Sequence, residues 1–321
     1  MTVAMVSKIV FPARDGRQEI IIRKVNSVTI EDTWENLTNT AIIKLPRNVK
    51  DFDRKNVKSI FKKGDPVLIY LGYDENLVLE FDGFVNEVYA DIPIEIKCDD
   101  YMYLLKKQQV NVSIRSTRLI DLVRAILPAG IEIDVADINI GTKRYPNTTA
   151  AKVLEELQGI NIYSYFKGRI LVVGKIYTDD TAKPVVFNFN QNIVDHKLQY
   201  KNKEDVLIKI KGVSTLPNGR KITAEFGDDK GTEQHLSYYN ITLKAEVLKL
   251  IKADYEKFKI EGFEGHITAF GVPSVRHGMK AKLISNEYPD RKGLYFIKKV
   301  VKTFDDSPKY HQDIYLDKKA E

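Results

Sequence analysis

The sequence predicts a β-rich α+β protein: two antiparallel β-barrels, a small α+β module between them, and a helix inserted in the second barrel. Three observations predict this. A β-hairpin over residues 63–88 recurs in outline near the other end, at residues 278–300. The stretch between the two β regions switches to helical spacing of its apolar residues. Short alternating strands bounded by turn residues fill most of the rest.

Residues 1–100 form the first barrel. Its central hairpin opens at the turn Gly64-Asp65-Pro66, where glycine can take positive φ and proline fixes its own. Val67 to Leu71 is a strand, and Gly72 to Asn76 turns the chain back. Leu77, Leu79, Phe81, Gly83 and Val85 then alternate with Glu80, Asp82 and Asn86, which gives one apolar face. Gly83, inside that strand, marks a bulge or a close backbone approach. Residues 25–30, 41–45 and 93–98 supply further strands, and residues 46–62 are a basic, proline-bearing connection. Cys98 sits in a strand and reads as packing rather than as a nucleophile.

Residues 101–182 form the α+β module. Ser116 or Thr117 caps a helix with Leu119, Ile120, Val123, Ile126 and Leu127 at helical spacing, ended by Pro128 and Gly130. Thr148 or Thr149 caps a second helix, with Val153, Leu154 and Leu157 inward and Gly159 as its stop. A hairpin follows, turning at Lys167-Gly168-Arg169.

Residues 183–321 form the second barrel. Asn218-Gly219 marks a hairpin turn. The inserted helix spans about 242–259, capped by Thr242, with Leu243, Val247, Leu250, Ile251, Tyr255 and Phe258 on one stripe. Later strands repeat the pattern of the first barrel. His277-Gly278 before a strand echoes Gly64-Asp65-Pro66, and Gly293 with its apolar strand echoes Gly83.

Composition narrows the function. The chain has 321 residues, 43% of them hydrophobic, and no apolar run near the roughly 20 residues that cross a bilayer. A single cysteine leaves no disulfide framework and no multi-cysteine metal site. The net charge of +6 is uneven. Residues 1–100 carry 14 basic and 17 acidic side chains (−3), residues 101–180 carry 11 and 8 (+3), and the remainder carries 25 and 19 (+6). Lys alternates with Glu or Asp along strands, which describes a solvated face rather than a nucleic-acid interface. No phosphate loop, dinucleotide fingerprint, zinc-protease motif or nucleophile elbow occurs. The nearest approach to a metal cluster, Glu261 to His266, lacks a partner at a ligand spacing. The doublets Asp99-Asp100, Asp179-Asp180, Asp228-Asp229 and Asp305-Asp306 are the candidates for paired carboxylates, and with them stands the rival reading of a cell-wall glycoside hydrolase. Doublets at strand ends ordinarily serve as turns and caps, and that is the use expected here.

Gly64-Asp65-Pro66 with its strand, Phe81-Asp82-Gly83-Phe84-Val85, and Thr149-Ala150-Ala151-Lys152-Val153-Leu154 before an aromatic hairpin carry a resemblance. So do Gly271, Pro273, Gly278, Gly293 and Tyr295, followed by Asp313-Ile314-Tyr315-Leu316. In order and spacing they resemble the baseplate hub of phage tails, the late control protein D group, and the N-terminal part of type VI secretion spike proteins. The resemblance implies tube-type barrels and a homotrimer whose six barrels make a pseudo-six-fold ring. That ring would adapt a hexameric tail tube to a trimeric spike in the baseplate of a virion tail or contractile injection system. It would be assembled in the bacterial host cytoplasm and could be prophage-encoded. The implied partners are the tail tube protein, other baseplate proteins and a spike expected as a separate chain, because no spike module follows Glu321. DNA can pass through the lumen without specific binding, and no membrane insertion is expected. The resemblance implies no enzyme, cofactor or metal and brings no catalytic residues. A tail-tip protein of a non-contractile phage is the alternative within the same class.

Overall fold

The computed structural model describes residues 4–46, 60–178, 182–216, 218–259, 262–287, 292–307 and 309–320. Of the connection read at 46–62, residues 47–59 lie outside these, as does the Asp179-Asp180 doublet. Alternating apolar and polar residues make strands the dominant element. The first seven are β1 (Met5–Phe11), β2 (Ile20–Ile22), β3 (Ser27–Thr33), β4 (Thr40–Leu45), β5 (Pro66–Tyr73), β6 (Asn76–Tyr89) and β7 (Ile94–Asp99). Next come α1 (Met102–Lys107), β8 (Gln109–Arg118), α2 (Leu119–Ile126), β9 (Glu132–Val135), β10 (Asn139–Thr149), α3 (Ala150–Gln158), β11 (Ser164–Lys167) and β12 (Ile170–Val173). The last group is β13 (Val185–Asn188), β14 (Ile193–Lys201), β15 (Ile208–Thr215), β16 (Lys221–Gly227), β17 (Thr232–Tyr239), α4 (Lys244–Phe258), β18 (Gly262–Phe270), β19 (Lys280–Ile284), β20 (Gly293–Asp305) and β21 (Lys309–Lys319).

The chain divides into two compact units. One comprises Met1–Tyr103, Thr181–Lys197 and His266–Leu316; the other comprises Leu104–Asp180, Leu198–Gly265 and Asp317–Glu321. The expected contiguous stretch 183–321 is therefore shared between them, because residues 198–265 fold onto residues 104–180 rather than onto the strands that flank them.

The first unit is built on a 13-stranded sheet, ordered β14-β18-β21-β20-β3-β4-β7-β6-β5-β1-β2, with β13 joined through β19 to β20. Its buried face includes Ile9, Val28, Ile43, Ile69, Leu71, Val85, Ile96 and Cys98, all fully shielded. The order contains a repetition. If β1, β3, β4, β5, β6 and β7 are numbered one to six, they lie in the order 2-3-6-5-4-1. Strands β13, β14, β18, β19, β20 and β21, numbered the same way, also lie in the order 2-3-6-5-4-1. The outermost pairs differ in polarity: β1 runs antiparallel to β5, whereas β13 runs parallel to β19.

The two strand sets are hydrogen-bonded to each other, so one continuous sheet stands where the sequence reading expected two. The cause is the length of β20. Its first residues, Gly293–Phe296, pair with β19, and its overhang, Lys299–Asp305, pairs antiparallel with β3. The overhang covers an edge of β3 that would otherwise expose unpaired N–H and C=O groups.

The second unit holds α2, α3 and three smaller sheets, β10-β8, β11-β12-β9 and β16-β15-β17. Thr149 caps α3, accepting a bond from the Lys152 N–H at 3.3 Å, and Val153, Leu154 and Leu157 face inward as expected. The expected cap, Ser116 or Thr117, does not fall at the N-cap position. Both residues fall within β8, and α2 starts at Leu119 with Arg118 at the N-cap and no side-chain cap bond. Strand β8 pairs antiparallel with β10 across the intervening α2 and β9.

The inserted helix, α4, spans Lys244–Phe258 and packs on the sheet β16-β15-β17. Leu243, not Thr242, occupies its N-cap position. Only part of the expected stripe is inward. Val247, Ile251 and Tyr255 pack against Ile208, Ile210 and Ala224, whereas Leu243, Leu250 and Phe258 are exposed. Contact is close where Gly212 faces the Ile251 side chain, a place with no room for a Cβ.

Candidate functional site

The motif residues Gly64, Asp65, Pro66, Gly83, Gly271, Pro273, Gly278, Gly293 and Tyr295 all fall in the first unit, on the repeated strands and their turns. Gly64 has φ +93° and Gly278 φ +82°, a region that L side chains rarely adopt. Each glycine opens the same backbone exchange. The Gly64 N–H donates to the Val85 carbonyl at 2.8 Å, and the Val85 N–H donates to Asp65 at 2.8 Å. The Gly278 N–H donates to the Ile297 carbonyl at 2.8 Å, and the Ile297 N–H donates to Met279 at 2.9 Å.

That exchange fixes the equivalence of the repeats. Pro66 lies opposite Phe84, and Val67 opposite Gly83; Lys280 lies opposite Phe296, and Ala281 opposite Tyr295. Gly83 therefore corresponds to Tyr295, and Phe81 to Gly293. The expected match of Gly83 with Gly293 is two residues out of step. A glycine and an aromatic residue two apart share one face in both repeats, in reversed order. A Cβ on Gly83 would strike the Phe81 ring and the Asp99 backbone, and one on Gly293 would strike the Tyr295 ring. Each glycine makes room for its neighbour's ring.

Asp65 and Asp32 anchor the two turns. Arg17 donates to both Asp65 carboxylate oxygens, one at 2.7 Å, and the Lys62 N–H donates at 2.8 Å. Burial alone would raise the Asp65 pKa; these bonds and the Arg17 charge outweigh it and hold the carboxyl below its ordinary value. Asp32 on β3 accepts from the His277 N–H at 3.0 Å and lies 2.8 Å from His277 Nδ1. Burial opposes the charge on Asp32 too, and the His277 contacts again prevail, lowering its pKa.

Gly271 and Pro273 belong to a turn held by Gln312. Its amide donates to the Phe270 carbonyl at 2.9 Å and the Pro273 carbonyl at 2.6 Å, and its oxygen accepts from the Val275 N–H at 3.2 Å. Gly271 lies against the Tyr310 ring, where a Cβ would overlap it. The Tyr310 hydroxyl donates to Glu80 at 2.9 Å.

Glu80 is the centre of this site and was not foreseen. The ladder between β5 and β6 skips it, passing from Ile69–Phe81 to Tyr70–Leu79. The extra residue of this bulge turns Glu80 inward beside Phe81, so the alternation expected to face Glu80 outward breaks here. Glu80 forms a buried ion pair with Lys302 of β20. Ser274 donates to Glu80 at 3.0 Å and accepts from Lys302 at 2.7 Å. Arg276 donates to the Leu79 carbonyl at 2.6 Å. Burial pushes the Lys302 pKa down against the pull of Glu80, and burial with the Glu80 charge pushes the Tyr310 hydroxyl up. The cluster joins β6 of the first repeat to β20, β21 and the 270–278 turn of the second. Lys302 was visible as a lysine in phase with the buried Val300 and Phe304; Glu80 was hidden by the bulge.

The other candidate groups are accounted for locally. Asp100 accepts from the Asn39 N–H at 3.1 Å and from the Met102 N–H at 2.9 Å, at the start of α1. Asp305 accepts from Ser307 in the turn to β21, and Asp228 accepts from the Ile208 N–H and the Tyr255 hydroxyl. Burial raises the Cys98 thiol pKa far above its ordinary value, which suits packing. His266 lies against the Tyr315 ring, and no group of metal-ligating side chains occurs among the described residues. No described helix is long and apolar enough to cross a membrane.

No protein-family model matches the sequence, and no curated protein matches it. The fold is nonetheless that of phage tail proteins. A tail protein from Neisseria meningitidis MC58 superposes with a TM-score of 0.65 at 12% identity, over 99% of this chain and 97% of the other. The 43 kDa tail protein of prophage MuSo2 from Shewanella oneidensis gives 0.63 at 14%, over 99% and 98%. The E. coli c3393 protein, described as a type VI secretion component structurally similar to T4 tail proteins gp27 and gp5, gives 0.53 at 9%, over 93% and 74%.

Proposed function

We propose that this chain is a structural baseplate hub of a phage tail or phage-derived injection device. Each set of six strands would make one tube-type barrel, one from residues 1–100 and the other from the outer strands of 183–321. Three chains would set six similar barrels in a ring, offering six-fold contacts to a tail tube and three-fold contacts to a separate spike. The observation that carries this reading is the repeated 2-3-6-5-4-1 order within a fold shared with tail proteins. The role proposed is structural, with no catalytic step. Electron microscopy of the chain with tube and spike proteins tests the reading. The expected particle is a trimer with six barrels at one radius; a dimeric ring, or barrels at two radii, overturns it.

A further inference from the structure

Of the asparagines in the sequence, only Asn218 is followed by glycine. Asn218, Gly219 and Arg220 are exposed at the end of the β15–β16 hairpin, in the second unit. Gly219 has φ +81°, and nothing lies within 4 Å of the place a Cβ would take. The Asn218 side-chain oxygen accepts from the Arg220 N–H at 3.0 Å, which folds the amide over the backbone that follows it. The same bond polarises the side-chain carbonyl, because an N–H aimed at that oxygen stabilises negative charge arriving on it.

We infer that Asn218 is a site of spontaneous deamidation, with its own chain as nucleophile and water as the co-reactant. The Gly219 amide loses its proton to solvent, and its nitrogen bonds to Asn218 Cγ. The Cγ–Nδ2 bond breaks, and Nδ2 leaves as ammonia, taking up a proton. A succinimide ring remains. Water then opens the ring at either carbonyl, leaving aspartate or isoaspartate, and nothing is oxidised or reduced. Two features select this residue. A side chain on the next residue crowds the attacking nitrogen, and every other asparagine is followed by a residue that has one. The Gly219 N–H donates to the Leu216 carbonyl at 2.9 Å, and that bond must open before the nitrogen can attack. It lies past the last ladder pair, Thr215–Lys221, so the hairpin end opens without the rest of the sheet, at little cost. Asn39 and Asn188, by contrast, are buried, and their side chains hold the Thr33 and Asn190 N–H groups. Either product sets a carboxylate beside Arg220 and Lys221. Isoaspartate also lengthens the main chain of a turn whose length sets the strand register. The reaction needs no partner and does not depend on the ring.

Incubating the full chain in mildly alkaline buffer, native and in denaturant, and following its peptides by mass and chromatography tests this. The peptide with Asn218 should gain the mass of an amide-to-acid exchange, in two separable products. In the native chain the rate should lie within about tenfold of that in denaturant. Asn39 and Asn188 should keep their amides in the native chain over the same period. Asn218→Gln keeps the amide but requires a larger ring, and should slow the change by at least about tenfold. A native chain that retains the Asn218 amide while the denatured chain loses it overturns the inference. Loss of the buried asparagine amides at the same rate also overturns it, because the turn would then select nothing.

Discussion

Glu80 shows how one side chain can hold two structural repeats together. Its carboxylate is shielded from water and receives bonds from Lys302, Ser274 and Tyr310. Such a pair adds little net stability over an apolar pair, because desolvation offsets the attraction, but losing one partner strands the other. Glu80→Ala should therefore destabilise the fold by about 3–5 kcal/mol, measured by denaturant unfolding of the first unit's signal. The double variant Glu80→Leu with Lys302→Met should recover most of that loss. If the single variant melts like the native chain, the cluster does not join the repeats. The motif residues divide by mechanism. Gly278 has open space around its Cβ position and is required by φ, whereas Gly83, Gly271 and Gly293 are required by what they touch. A sequence shows the glycine in each case but not which reason applies.

At the scale of elements, the clamps on the two turns differ in chemistry and agree in place. Arg17 with Asp65 fixes the turn before β5, and His277 with Asp32 fixes the turn before β19. Both carboxyls have folded-state pKa values below the ordinary value, so their contribution is complete above about pH 4, the unfolded value. It is lost as pH falls through the lowered folded values. Melting temperature should hold steady down to about pH 4 and then fall. Asp32→Asn should lower the plateau and shallow the acid limb; an acid limb of unchanged depth would remove Asp32 from the account. Much of this architecture was legible in the sequence. Turn glycines, period-2 strands, the Thr149 cap and the hairpin at Gly168 are local signals, and local signals survive in one dimension. What was hidden depends on partners far along the chain. The β20 overhang on β3 spans more than 260 residues, and the bulge that turns Glu80 inward is set by its register against β5. The unit to which α4 belongs likewise follows from packing, not from its stripe.

For the whole molecule, net charge bears on how copies meet. Residues 1–100 carry −3, and residues 101–180 carry +3. In a closed ring of like chains, every copy would offer both signs to its neighbours, so opposite charges at the contacts would guide assembly. Close contacts would then supply the specificity, because they depend on fit and charge clouds do not. These two contributions respond differently to salt. Exposed charges are screened over about 10 Å at 0.1 M and about 3 Å at 1 M, whereas buried contacts are screened much less. Raising salt from about 0.05 M to 0.5 M should therefore slow ring formation by at least about tenfold while leaving the dissociation of formed rings nearly constant. Light scattering after mixing, with tube and spike proteins present, gives the first rate, and dilution of formed rings gives the second. Equal salt effects on both would place the charges inside the closed contact rather than on the approach to it. No effect on either would show that the uneven charge serves solubility alone.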